Sequence, residues 1–240
     1  MYQRDYILRM LEQAGTMVGR VMELARNRRL QEAMELLQQA MKELLGLGSK
    51  LVGALSVKDL VALLSKDGEL DSAKVLALGE LLNAQVGLQK EGGDEAAAKR
   101  TALKSLELLL TGREYDARGE FRSEYDMRIE EALHQTGRNG LHLEALSKIV
   151  GYYEDAGKYA WAEDALFYRL EIGETEDRQS ELKNTLEEGI RMYERWVNLE
   201  DNELEAGGLS KEEAEEGLRT LQKMKNRMGT NREESSSELI

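Results

Sequence analysis

The chain has no proline and no cysteine among its 240 residues, and only two phenylalanines, two tryptophans and two histidines. Without cysteine there is no disulfide, no thiolate metal site and no cysteine nucleophile. At a usual frequency of about 5%, roughly a dozen prolines would be expected. Helix ends must therefore be set by Gly, Asn, Ser and Asp, and strongly bent all-β architectures are disfavoured. No run of about 18 apolar residues is present, so no membrane span is expected. Residues 1–9 carry charge and lack the apolar run of a signal peptide, which makes the cytoplasm the expected compartment. No segment alternates with period two, and the expected fold is all-α. With two histidines, acid–base chemistry would fall to carboxylates, lysine or tyrosine, and no Ser-His-acid triad is visible. The expectation is that the chain is not an enzyme and needs no cofactor.

Hydrophobic residues make up 41% and charged residues 33%, a helix-rich composition. The net charge of −13 disfavours nucleic-acid and anionic-membrane partners, because a phosphate backbone needs a basic surface. Charge is unevenly placed. Residues 1–50 hold eight basic and six acidic side chains. From Glu200 to Glu216 there are eight acids against Lys211, and from Gly217 to Arg232 five bases and no acid. Such blocks read as solvated helix faces.

Steps of three and four mark the helices. Ile7, Leu11, Ala14, Val18, Val21 and Ala25 predict a first helix from about Arg4 to Arg26, with Tyr6, Met10, Met17 and Leu24 widening its stripe. A second follows from about Leu30 to Leu45, with Ala33, Leu37, Ala40, Met41 and Leu44 inward. Gly46, Gly48 and Gly53 loosen the chain. Ser56 is a natural N-cap for a short helix that Gly68 ends. Longer helices are predicted over 70–88 and from Asp94 to Leu110, with 111–118 a loop. Further helices follow over 120–135, 141–156, 159–172 and 177–199, with a last one capped by Ser210. The expected architecture is about nine helices in a single domain, 1–228, divisible into sub-bundles 1–111 and 119–228. Residues 229–240 are expected to be a disordered tail.

One pattern recurs. Leu146, Ile149, Val150 and Tyr153 share a helical face, Gly157 breaks the chain, and Tyr159, Ala162 and Leu166 restart the period. This unit resembles the tetratricopeptide repeat, a helix–turn–helix of about 34 residues. A second stretch has Met17, Val21, Leu24, Leu30, Ala33, Leu37 and Ala40 in equivalent places, and a third has Val57, Leu60, Val61, Leu64, Gly68, Leu70 and Ala73. The units depart from the repeat's pattern: none has the first aromatic, and Arg169 replaces a small residue. The opening, Tyr2 to Gln13, is similar to the start of a bacterial family of unknown function thought to be built of such helices.

The resemblance implies stacked antiparallel hairpins that bind a protein or peptide on a groove lined by the first helix of each pair. Carried onto this chain, it places Met22 and Arg26 in the first unit, Lys58 and Lys66 in the second, and Glu154 and Asp155 in the third. An alternative is a structural homo-oligomer that pairs through its long helices, suggested by the wide stripe of helix one and the C-terminal charge blocks. Within the aromatic group Tyr152, Tyr153, Tyr159, Trp161, Phe167 and Tyr168, Trp161 is the residue best suited to anchor a partner.

The remaining constellations read as structural. His134 and His142 flank a glycine turn, and no metal site is expected of them. Asp201, Glu203, Glu205 and Glu212 fall at positions 1, 3, 5 and 12 of a calcium-loop register, but Ala206 stands where that loop needs glycine. Gly46-Leu47-Gly48-Ser49-Lys50 lacks the spacing of a phosphate loop.

Overall fold

The structure, a computed structural model, describes residues 2–175 and 178–237, with side chains over 4–175 and 178–228. The chain forms two compact units, Met1–Leu141 and His142–Ile240. The first contains α1 (Tyr2–Arg26), α2 (Leu30–Leu45), α3 (Ser49–Ala54), α4 (Val57–Leu63), β1 (Ser65–Lys66), β2 (Glu69–Leu70), α5 (Ser72–Glu91), α6 (Glu95–Tyr115) and α7 (Arg122–Thr136). The second contains α8 (Leu143–Asp155), α9 (Tyr159–Thr175), α10 (Gln179–Trp196), α11 (Asp201–Ala206) and α12 (Lys211–Ser237). The fold class is all-α, as the periodicity predicts.

In unit 1, α1 and α2 pack together across Asn27–Arg29 and both rest on α5, which also packs against α6 and α7. The sequence of α5 explains its central place. Ala73, Val75, Leu76, Ala77, Leu78, Leu81, Leu82, Val86 and Leu88 are buried on every side of it, and a helix apolar all round must be enclosed. Glycines set the closest approaches. A Cβ at Gly79 would lie 2.4 Å from Leu109 of α6, and one at Gly112 would lie 2.7 Å from both Val75 and Tyr125. On α1 the buried stripe is Ile7, Met10, Ala14, Val21 and Ala25, whereas Tyr6 and Leu8 are exposed. The stripe is thus narrower than its composition suggests.

Twelve α-helices are present among the described residues, not about nine. The additions are short and depend on distant groups. Lys104 of α6 donates to the carbonyls of Val52, Gly53 and Leu55 at 2.7–2.8 Å, closing the C-terminal end of α3. The third expected hairpin is not made. Gly68 does not end a helix; with Asp67 it forms the two-residue turn of a small antiparallel hairpin in which Ser65 pairs with Leu70 and Lys66 with Glu69. Both turn residues have positive φ, +55° and +83°, as such a turn requires. As a result α4 packs on α6, while α5 pairs with α6 across Gly92–Asp94. The expected loop over 111–118 begins later, because α6 runs to Tyr115. Asp116 then accepts from the backbone N–H groups of Glu120 and Phe121 ahead of α7.

In unit 2, α8 packs on α9, α9 on α10, and α10 on α12. Ala162 is fully buried, as its place in the best hairpin predicts, and Gly157 turns the chain at φ +67°. Trp196, Tyr193 and Tyr159 form the aromatic centre, with ring centroids 4.9 and 5.4 Å apart around Trp196. The backbone of α12 continues as helix through Ser237, across most of the stretch expected as a tail; 238–240 lie outside the described residues.

Candidate functional site

The residues expected to contact a partner are divided between the units. Met22 is half-buried and Arg26 exposed on α1, Lys58 is exposed on α4, and Lys66 is exposed on β1. Glu154 and Asp155 end α8, and Trp161 opens α9. Within unit 1 they do not converge. Lys66 lines a cleft of ≈ 310 Å³ with Tyr6, Asp67, Glu69 and Asp71. Tyr6 is sixteen residues from Met22 along one helix, about 24 Å at 1.5 Å per residue.

Glu154 is not a free surface acid. Its carboxylate takes two bonds from Arg195 Nη2 at 2.8 Å and one from Trp196 Nε1 at 3.1 Å, tying α8 to the end of α10. Trp161 is exposed, as expected of it. Its side chain is 59% exposed and its ring rests against Tyr153 at 5.7 Å. Tyr153 is buried and stacks in turn on Tyr152. The indole therefore has a ring contact on one side and is otherwise largely open to solvent.

Another cleft of unit 1, ≈ 510 Å³, lies between α1 and α2. Met17 and Leu44 supply its apolar part and Glu12, Gln13, Thr16 and Glu43 its polar part. The Thr16 hydroxyl donates to the Glu12 carbonyl at 2.8 Å.

Sequence reasoning missed the buried polar groups. Glu80 of α5 pairs with Arg128 of α7, and Arg128 also donates to the Glu124 carbonyl at 3.0 Å. Asn83 donates to the Arg128 carbonyl at 3.2 Å and accepts from Ser105 of α6 at 2.7 Å. A signal was available: Glu80 and Asn83 interrupt an otherwise apolar run, and polar groups inside such a helix must be satisfied. In unit 2, Glu163 of α9 accepts from the hydroxyl of buried Tyr193. Burial, then that bond and neighbouring acids, push the Tyr193 hydroxyl far above its ordinary range. Tyr159 donates to Glu203 at 3.2 Å, and its hydroxyl is raised by burial first.

No group of three or more His, Asp or Glu side chains converges for a metal among the described residues. His142 Nδ1 accepts from the Ala145 N–H at 3.2 Å and so caps α8, and Asp201, Glu203 and Glu205 lie on α11 rather than on a loop. No described helix is long and apolar enough to cross a membrane.

Residues 1–226 match the family of unknown function DUF6483, and the chain belongs to that family. No curated protein and no solved structure matches it. The expectation of a family without an assigned activity holds at that level, and the match itself carries no activity.

Proposed function

We propose that this member of DUF6483 is a non-enzymatic scaffold that binds a protein or peptide, its helices stacked as tetratricopeptide-like hairpins in a bacterial cytoplasm. One observation carries the reading. In unit 1 each helix pair packs on the first helix of the next: α1 and α2 on α5, then α5 and α6 on α7. That is the nearest-neighbour pattern of a stacked-hairpin scaffold, in which the first helices together form one face. Gly15, Glu80 and Arg128 support it, since Glu80 lies beside Gly15 of α1 and pairs with Arg128 of α7. In this register α5, not α4, is the first helix of the second pair. Met22 and Arg26 remain on the binding face, and Lys58 and Lys66 leave it. Trp161 is the anchor on unit 2.

Affinity capture from the native cell, with the full chain as bait, tests this. A discrete protein should be retained near stoichiometry, and Trp161→Ala should lower its retention about tenfold or more without changing the helical spectrum, because the indole is exposed. Capture of no protein contradicts the scaffold reading, and undiminished capture by Trp161→Ala removes the anchor. The homo-oligomer reading draws on exposed Tyr6 and Leu8, which leave an apolar edge on α1. Light scattering of the purified chain separates the two.

A further inference from the structure

The first turns of α1, the β1–β2 hairpin and the start of α5 meet at the cleft of ≈ 310 Å³. Three kinds of group line it. Tyr6 is an exposed aromatic wall. Ile7 and Leu70 are aliphatic. Asp67, Glu69 and Asp71 are carboxylates, set against one ammonium, that of Lys66.

The carboxylates differ in what they already hold. Asp71 is committed to α5: it accepts the Lys74 N–H at 3.2 Å, and its other oxygen lies 3.6 Å from Lys74 Nζ. Asp67 and Glu69 are exposed and make no ion pair or side-chain hydrogen bond among the described residues. The hairpin fixes their backbone. Asp67 occupies the turn at φ +55°, and Glu69 pairs with Lys66 across the two strands. The Tyr6 hydroxyl is raised by burial first and then by the charge of Asp71, so the aromatic and acidic walls act on one space.

These walls suit one ligand chemistry. An anion would meet three carboxylates, and no three acids converge for a metal among the described residues. A flat organic cation uses every wall. The π face of an aromatic ring attracts it, carboxylates accept its N–H groups in pairs, and aliphatic groups cover its methylene stem. Guanidinium fits better than ammonium, because it is planar and more weakly hydrated. The volume lies at the lower end of ligand pockets, about 300–1,000 Å³, and suits one side chain rather than a run of peptide.

We propose that this cleft binds a guanidinium group, with Tyr6 stacking on it and Asp67 and Glu69 pairing with it. The source of the group, an arginine side chain of the bound protein, rests on the scaffold reading; the site itself lies within unit 1 and does not.

Heteronuclear NMR of the full chain at low ionic strength reads the site through the amides of residues 65–72. Argininamide is the first probe, citrullinamide its uncharged isostere, and capped Gly-Arg-Gly the peptide form. Argininamide should shift those amides saturably in about the millimolar range, as fits a ligand of so few atoms, and citrullinamide should not. Asp67→Asn keeps a residue that tolerates positive φ; it and Glu69→Gln should each weaken binding about threefold. Tyr6→Leu should weaken it about two- to fivefold. Added salt should weaken it further, since the acids are exposed. The proposal is overturned if no saturable shift appears at these amides, or if citrullinamide binds as well as argininamide. It is equally overturned if Asp67→Asn combined with Glu69→Gln leaves the affinity unchanged. Tighter binding of Gly-Arg-Gly than of argininamide supports arginine of a protein as the source. Equal affinity keeps the site and makes its ligand a free guanidinium compound, whatever becomes of the scaffold reading.

Discussion

Arg128 concentrates the interior polarity of unit 1. Its side chain is 8% exposed and that of its partner Glu80 is 20%. Removing two charges from water is costly, and the pair persists because hydrogen bonds satisfy what remains. The Glu124 carbonyl takes one guanidinium N–H, and the Arg128 carbonyl is bonded by Asn83. Arg128→Met would strand the Glu80 carboxylate and should cost about 3–5 kcal/mol in denaturant melts. Glu80→Leu combined with Arg128→Met should cost less than the single change, since neither charge is then left alone. Equal losses would mean that the two side chains do not depend on each other. Half of this was legible in the sequence. Glu80 and Asn83 stand out inside an apolar run, but nothing local identifies a partner 48 residues away. Glu154 is a second case in which the partners were not legible. It looks like an ordinary surface acid at a helix end, and only the fold brings Arg195 and Trp196 to it.

At the level of elements, what local chemistry sets was readable. Ser56, Asp71, Asp94 and Ser210 each accept a backbone N–H three residues on and begin α4, α5, α6 and α12. The elements that were missed depend on distant contacts. Residues 46–53 look too glycine-rich for a helix, yet α3 forms there because Lys104, some 50 residues later, caps it. Desolvation lowers the Lys104 ammonium pKa, with Glu107 opposing. Lys104→Met should therefore free the C-terminal end of α3 while leaving α6 intact. Its signature would be lost exchange protection at Val52 and Leu55 with little change at Leu106–Leu110. Uniform loss across unit 1 would instead make Lys104 a core group rather than a cap. The Asp67–Gly68 turn was a readable hairpin signal, overlooked because its strands are two residues long and bear no alternating pattern.

For the whole molecule, the order of pairing decides what kind of protein this is. The two units fold around different interiors, a nearly all-apolar α5 in one and an aromatic cluster at Trp196 in the other. The indole of Trp161 lies exposed at the start of α9 in the second unit. Fold class was legible from periodicity, but helix pairing was not, because the hairpin pattern over Val57–Ala73 joins α4 to α5 in sequence whereas packing joins α5 to α6. The central claim is that the chain works by holding another protein. The most direct measurement is the mass, by light scattering after size exclusion, of the complex isolated through the full chain from its native cell. The account predicts a mass above the 27.1 kDa of one chain by that of a different protein. A particle of one chain alone would contradict both the scaffold and the oligomer, and a whole-number multiple of that mass would contradict the scaffold in favour of self-assembly.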